Sequence, residues 1–325
     1  MKKLLYILLL SATPGMAQVH KTKEPFAHTF SIIARDPATG EMAAAVQSHW
    51  FSVGTTVIYG KSGVGVVATQ AFVDRTYGPL GVQLMEAGKT PQQALDELTG
   101  KDGGRDVRQV AFLNTTGESA VYTGKKCIIY AKDKHGINYS TQSNMMLDST
   151  VSAAMEQAFL KNDNLPLPER MIACLKAGQA AGGDIRGQQS AAIIVVSGKP
   201  ATEVWNDKLI DLRVEDSADP ITELERLLKV HRAYEHMNTG DLYLEKNNMP
   251  AAMAEYTAAE NMFPGNLEMK YWHAITLANN KKVKEAAIML QDVYKLDANW
   301  RELTRRLPAS DQLSVTPEEF KLLVK

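Results

Sequence analysis

Cysteine is almost absent. The chain has 325 residues but only Cys127 and Cys174, too few for a disulfide-built scaffold, so the fold stands on its apolar core; the thiols read as two small buried hydrophobes, with a single Cys127–Cys174 disulfide in an oxidising compartment as the alternative. Charge of one sign is lacking too. The balance of 36 Lys and Arg against 37 Asp and Glu leaves a formal net charge of -1, which offers no field for anionic polymers and excludes nucleic acid as a partner. No apolar run approaches the roughly 20 residues of a membrane span. There is no Gly-x-Ser-x-Gly elbow, and "GKSGVG" lacks the spacing of a phosphate loop. The seven histidines form no ligand set with Cys or carboxylates; His231 and His236, five apart, do not share a helix face. No metal and no cofactor is therefore expected.

The chain does begin with a secretory pattern: Lys2 and Lys3, the apolar "LLYILLLSA", then "PGMAQ" with Gly15 and Ala17 three and one positions before a cut. Residues 1–17 are read as a signal peptide, and the product as exported to the periplasm or beyond. The apolar stretch is too short to anchor the chain.

From Thr29 to about Val196, short strands alternate with helices. "TFSIIA" and "MAAAVQS" flank "RDPATGE", whose Pro37 and Gly40 supply a turn, so they predict an antiparallel hairpin. "GTTVIYG" with "GVGVVATQAF", and "VRQVAFLN" with "SAVYTG", repeat the arrangement; "KCIIYA" and "HGINYSTQSN" predict further strands. Helices are predicted at "TPQQALDEL", with Thr90 and Gln93 as a capping box around Pro91, at "LDSTVSAAMEQAFL" and at "LPERMIACLKAGQAAGG". "SAAIIVVSG", apolar on both faces, belongs in the middle of a sheet. Strands and helices in groups favour an α+β fold.

After "IDLRVEDSADP" the pattern is helical only, starting with Asp219 as cap and Pro220 as first residue. Gly240, Tyr243, Ala252, Tyr256 and Ala259 recur 34 residues later as Ala274, Leu277, Ala286, Leu290 and Val293, and Ala298 answers Pro264. That is the period of a tetratricopeptide-type helical hairpin. Two units are fewer than a free-standing solenoid needs, so the preceding helix or domain must cover a face. "TPEEFKLLVK" adds a closing helix with Thr316 and Glu319 as its capping box. The resulting domains are 29–218 and 219–325.

Polar residues crowd two strand mouths. "AGQAAGGDIRGQQSAAIIVV" sets Asp184, Arg186, Gln188, Gln189 and Ser190 before a buried strand, where glycines permit close backbone approach. Arg186 suits a substrate carboxylate through its bidentate fork; an internal Asp184–Arg186 pair is the equal alternative. Gln70, closing "VVATQ", and Asn144 in "TQSN" can donate to an oxyanion or merely cap turns.

Together "HTFSIIARDPATGE", "GVGVVATQAFVDRTYGPLG", "STQSNMM", "AGQAAGGDIRGQQSAA" and "IDLRVEDSADPITELERLL" resemble the bacterial domain of unknown function 1028 over Thr29 to about His231. The resemblance implies the fold of the N-terminal-nucleophile (Ntn) hydrolases, a four-layer αββα sandwich, here followed by an all-α helical-repeat domain. It also implies a mechanism. A chain-opening threonine attacks an amide carbonyl while its own α-amine, with pKa near 8, takes the proton. Thr29 takes the place of the nucleophile, with Gln70, Asn144 and Ser190 as oxyanion donors and Asp184, Arg186 and Gln189 as substrate-positioning groups. Signal cleavage leaves 18–28 in front of Thr29, so a pro-segment must be cut away to free the amine.

Two functions follow. One is an exported amidohydrolase acting on a small amide or peptide-like bond. The other is a non-catalytic binding protein on a hydrolase-like scaffold, its helical tail recruiting a protein partner.

Overall fold

The computed structural model describes residues 26–27 and 29–325. The expected signal peptide, and all of the expected pro-segment but Phe26–Ala27, lie outside the described residues. In chain order the strands are β1 (Phe26–Ala27), β2 (Thr29–Arg35), β3 (Met42–Ser48), β4 (Ile58–Lys61), β5 (Gly65–Phe72), β6 (Arg108–Asn114), β7 (Ser119–Thr123), β8 (Lys132–Gly136), β9 (Tyr139–Ser143), β10 (Ser190–Val196) and β11 (Lys208–Val214). All pair antiparallel, in two sheets. One runs β1-β5-β6-β7, with β4 also on β5; the other runs β11-β10-β3-β2-β9-β8.

Period-2 patterning sorts these strands into layers. On β2, Phe30, Ile32 and Ala34 pack outward against Met155 and Phe159 of helix α3 (Val151–Lys161) and Met171 and Leu175 of α4 (Leu167–Ala180). Ile33 faces the opposite way, into a core shared by both sheets that includes Val46, Ile194, Val66, Ala68 and Leu113. On the far side Val67, Val110 and Phe112 pack against α1 (Tyr77–Glu86) and α2 (Pro91–Lys101). The two sheets thus lie face to face with helices on each outer surface.

The capping signals at Thr90/Gln93, Asp219 and Thr316/Glu319 all form as expected, and β10 is flanked on both sides. "KCIIYA" is not a strand. The chain folds into turns there, with Tyr130 at φ 65 and Ile129 three-quarters exposed; an apolar run with no neighbour to complete its ladder does not stay extended. The polar KDKHG forms β8 instead, an edge strand whose Lys132 and Lys134 discourage further pairing. Helix α1 and strand β11 were not predicted.

Five further helices follow: α5 (Pro220–Glu245), α6 (Met249–Met262), α7 (Leu267–Asn279), α8 (Val283–Leu296) and α9 (Asn299–Arg306); α10 (Pro317–Leu323) ends the chain. Connections of a few residues make α5 with α6, and α7 with α8, hairpins. Gly240 is needed for the first: a Cβ there would lie 2.6 Å from the Tyr256 ring. The boundary expected at 219 falls at the start of a helix that serves both regions. Ile221, Leu224 and Leu228 on α5 belong to the core over β2 and β10, whereas Ala233 and Met237 belong to the helical core. Arg232 fastens the junction through Glu169 at 3.0 and 3.2 Å.

Candidate functional site

The space between the sheets is apolar at one end and polar at the other. Antiparallel register puts Thr29 opposite Ser48, and Ser48 opposite Ser190, while the Asn144 N–H donates to the Thr29 carbonyl at 3.0 Å. Residues opposite one another in a ladder share a face. Thr29, Ser48 and Ser190 therefore form a row on the inner face, and every member is fully buried.

The facing sheet answers with amides. Gln70 Nε2 on β5 donates to Gln109 Oε1 on β6 at 2.7 Å and reaches the Thr29 carbonyl at 3.3 Å. From Thr29's own sheet, just after β9, Asn144 Nδ2 does the same, at 2.9 Å to Gln109 Oε1 and 3.4 Å to the Thr29 carbonyl. Gln109 Nε2 in turn reaches the Ser143 carbonyl at 3.2 Å and Thr123 Oγ1 at 3.0 Å. Ser31 Oγ lies 2.7 Å from Gln70 Oε1 and 2.9 Å from Gln142 Oε1, yet a hydroxyl has one proton to give. Gln70 is oriented by its two acceptors, so Gln142 must turn, its Nε2 donating to Ser31 and its Oε1 accepting from Ser140, now placed 2.5 Å from the amide.

Within this network the Thr29 hydroxyl stands apart: Oγ1 is buried with no hydrogen-bond partner. An unsatisfied buried hydroxyl costs about 1–3 kcal/mol relative to a satisfied one, and so calls for an explanation. Backbone strain lies beside it. Ala71 and Met145, the residues directly after Gln70 and Asn144, have φ of 71 and 57, a left-handed conformation that costs side-chain-bearing residues roughly 1–3 kcal/mol and clusters at functional positions.

Thr29, Gln70 and Asn144 are thus brought together. Both amides hold the Thr29 carbonyl and Gln109, an orienting arrangement. Ser190 joins the row, but its hydroxyl donates to the Trp50 carbonyl and accepts from Val53 N at 3.1 Å, tying down the turn after β3. Asp184 takes the Arg186 fork at 3.0 and 2.7 Å, together with the Arg186 and His49 backbone N–H groups at 2.9 and 3.2 Å, so the internal ion pair is present. Gln189 donates to Asp216 at 3.1 Å on the surface. Ser31, Ser48, Gln109 and Gln142 escaped the sequence reading. For Ser31, Ser48 and Gln109 the signal was a polar residue on the inward phase of a mostly apolar strand; Gln142, on the polar YSTQS of β9, carried no such signal.

A cavity of about 980 Å³ lies at the opposite end of β5 and β6, lined by Lys61, Ser62, Asn114 and Asp207 among others. Among the described residues no group of three or more His, Cys, Asp or Glu is placed to hold a metal ion, and no helix is long and apolar enough to cross a membrane. Both cysteines are free thiols, with burial raising Cys174 to about 12 and Cys127 to about 11.

The profile of the family of unknown function DUF1028 matches residues 29–224, from Thr29 itself into the first turns of α5. The chain belongs to this family. The crystal structure of protein SPO2555 from Silicibacter pomeroyi, also assigned to DUF1028, is 31% identical, covering 62% of this chain and 84% of its own with a TM-score of 0.56. No curated protein matches the chain. The DUF1028 region thus holds both sheets except β1, together with α1 to α4 and the whole Thr29 network, whereas α6 to α10 lie beyond it.

Proposed function

We propose that this DUF1028 protein is an exported amidohydrolase of the Ntn type, with Thr29 as nucleophile. The observation that carries the reading is the buried, unpartnered Thr29 hydroxyl at the mouth of a central strand, beside a carbonyl held by Gln70 and Asn144. The two stacked sheets with outer helices are read as the αββα sandwich of that superfamily.

Cutting before Thr29 frees its α-amine. The amine takes the Oγ1 proton as the oxygen attacks a substrate carbonyl; the tetrahedral intermediate collapses, and the leaving amine departs with that proton. Water then attacks the resulting ester, gives the acid product, and returns the proton to Oγ1. Gln70 and Asn144 orient Thr29 through its carbonyl, which fixes hydroxyl and amine relative to each other. The same oxygen, attacking the carbonyl of the preceding residue, accounts for removal of the pro-segment.

The helical region is read as two tetratricopeptide-type units. The positions that recur at period 34 include Gly240, Ala252, Tyr256, Ala274, Ala286 and Leu290, all of them buried. Exposed Leu242, Ile288 and Leu296 leave apolar contacts for a protein partner, the feature that favours the binding reading as a second function.

The test is the intact mass and N-terminal sequence of the protein from its exporting cell, alongside Thr29→Ala. A chain beginning at Thr29, and a variant that retains its leader residues and turns over no amide, support the hydrolase. A wild-type chain still carrying residues before Thr29 sinks it and leaves the binding protein.

A further inference from the structure

The strands that precede and follow the proposed cut belong to different sheets. Phe26 and Ala27 pair antiparallel with Phe72 and Ala71 of β5, whereas Thr29 opens β2 in the opposite sheet, between β3 and β9. One residue separates Ala27 from Thr29, so their Cα atoms are at most about 7.6 Å apart. The chain therefore leaves the edge of β5 and arrives at the nucleophile within a single residue.

That edge has room for little else. On the same side of β5, β4 pairs only as far as Ala68; on the other side β6 pairs through Ala71. Beyond Ala68, β1 is the strand seated on this edge, and once residues before Thr29 are removed the backbone of Ala71 and Phe72 loses that neighbour. A strand edge without a neighbour is a template for an extended peptide. This one is held firmly in place. Gln70, the preceding residue, is bonded to Gln109, and Arg108 Nη1 grips the Phe72 carbonyl at 2.6 Å while its Nε is bound by Asp102 at 2.9 Å.

From this we infer that the edge of β5 at Ala71–Phe72 is the subsite for the acyl side of the substrate, and that the substrate is an extended peptide whose main chain replaces β1. The inference rests on the reading of Thr29 as nucleophile. In the processing reaction the acyl group passed to Oγ1 is the chain that ends at residue 28 and whose Phe26 and Ala27 lie on β5. A later substrate forms its ester on the same oxygen, from the same side. Its carbonyl carbon is therefore delivered by a chain running antiparallel to β5, with recognition through main-chain N–H and C=O groups.

The probe is the synthetic peptide KEPFAH, residues 23–28 of this chain, with two versions N-methylated at the Phe or at the Ala. Binding is measured by calorimetry to the mature protein, shown by N-terminal sequencing and intact mass to run from Thr29 to Lys325. A strand turns alternate N–H groups toward a given neighbour. One methylated peptide is therefore expected to bind roughly tenfold more weakly than the parent, and the other to match it. If the parent does not bind to the cut chain, or if both methylated peptides match the parent or both weaken alike, the subsite is wrong while Thr29 stands. If the chain is never cut, both fall together.

Discussion

Gln70 and Gln109 sit directly opposite each other on β5 and β6, and the amide of one donates to the carbonyl oxygen of the other at 2.7 Å. Because Gln109 Oε1 also receives Asn144 from the facing sheet at 2.9 Å, this one oxygen joins the two amides that hold the Thr29 carbonyl. The position of β6 is thereby transmitted to a residue it does not pair with.

Replacing Gln109 by Leu should therefore do more than remove one side chain. Gln70 and Asn144 each lose an acceptor, and the Ser143 carbonyl loses a donor. Unpaired buried groups cost roughly 1–3 kcal/mol each, partly relieved by relaxation, so a loss of about 2–4 kcal/mol is expected in urea unfolding. Gln92→Leu is the control: its amide meets Asp96 at 2.8 Å on the surface of α2, and its change should stay within about 0.5 kcal/mol.

Thr29→Val should separate folding from chemistry. The hydroxyl has no partner to lose, so replacing it with a methyl should leave stability within about 1 kcal/mol or raise it. The same variant should retain its leader residues, whereas Thr29→Ser should be processed. Urea midpoints and intact masses of the two variants check this; a loss of 2 kcal/mol or more in the valine variant would mean that the hydroxyl serves the fold.

Asp102 should set part of the acid sensitivity. Burial raises its carboxyl pKa, but the bond from Arg108, that from the Gly104 N–H, the charge of Arg108 and the Tyr77 hydroxyl outweigh it, and the net shift is downward. A carboxylate lowered in the folded state contributes stability above its unfolded pKa of about 3.9 and loses it as pH falls through the lower folded value. Wild type should thus lose stability below about pH 4 more steeply than Asp102→Asn, while at pH 7 the variant should be weaker by about 1–2 kcal/mol. Urea midpoints at a series of pH values decide it.

The helical region should not be removable at residue 219. Ile221, Leu224 and Leu228 fill the core over β2 and β10, and burying such side chains stabilises by about 1.5–3 kcal/mol each. A chain ending at residue 218 should lose its cooperative thermal transition. One ending near residue 231 keeps all three and should retain it.

Much was legible in the chain itself. Two short apolar segments, "TFSIIA" and "MAAAVQS", joined by a turn with Pro37 and Gly40 are enough to predict the β2–β3 hairpin, and its register is held because a one-residue error would turn Phe30 and Ile32 away from their helices. Capping at Thr90, Asp219 and Thr316 depends on residues within one turn and could be read locally. "KCIIYA" could not, since whether an apolar run becomes a strand depends on a neighbour brought from elsewhere. The Asp184–Arg186 pair was open to two readings for the same reason.

What the sequence determined by itself is the set of local choices: which segments alternate at two or at 3.6 residues, where helices begin, and the period of 34 in the tail. These follow from backbone geometry and neighbours within a turn. The tertiary structure alone decided which polar residues meet. Thr29, Gln70, Gln109 and Asn144 come from four segments up to 115 residues apart, and their convergence depends on two sheets stacking with their polar ends aligned. It also decided that β1 and β2, separated by one residue, lie in opposite sheets, because strand pairing is settled by long-range contacts that local propensity does not encode.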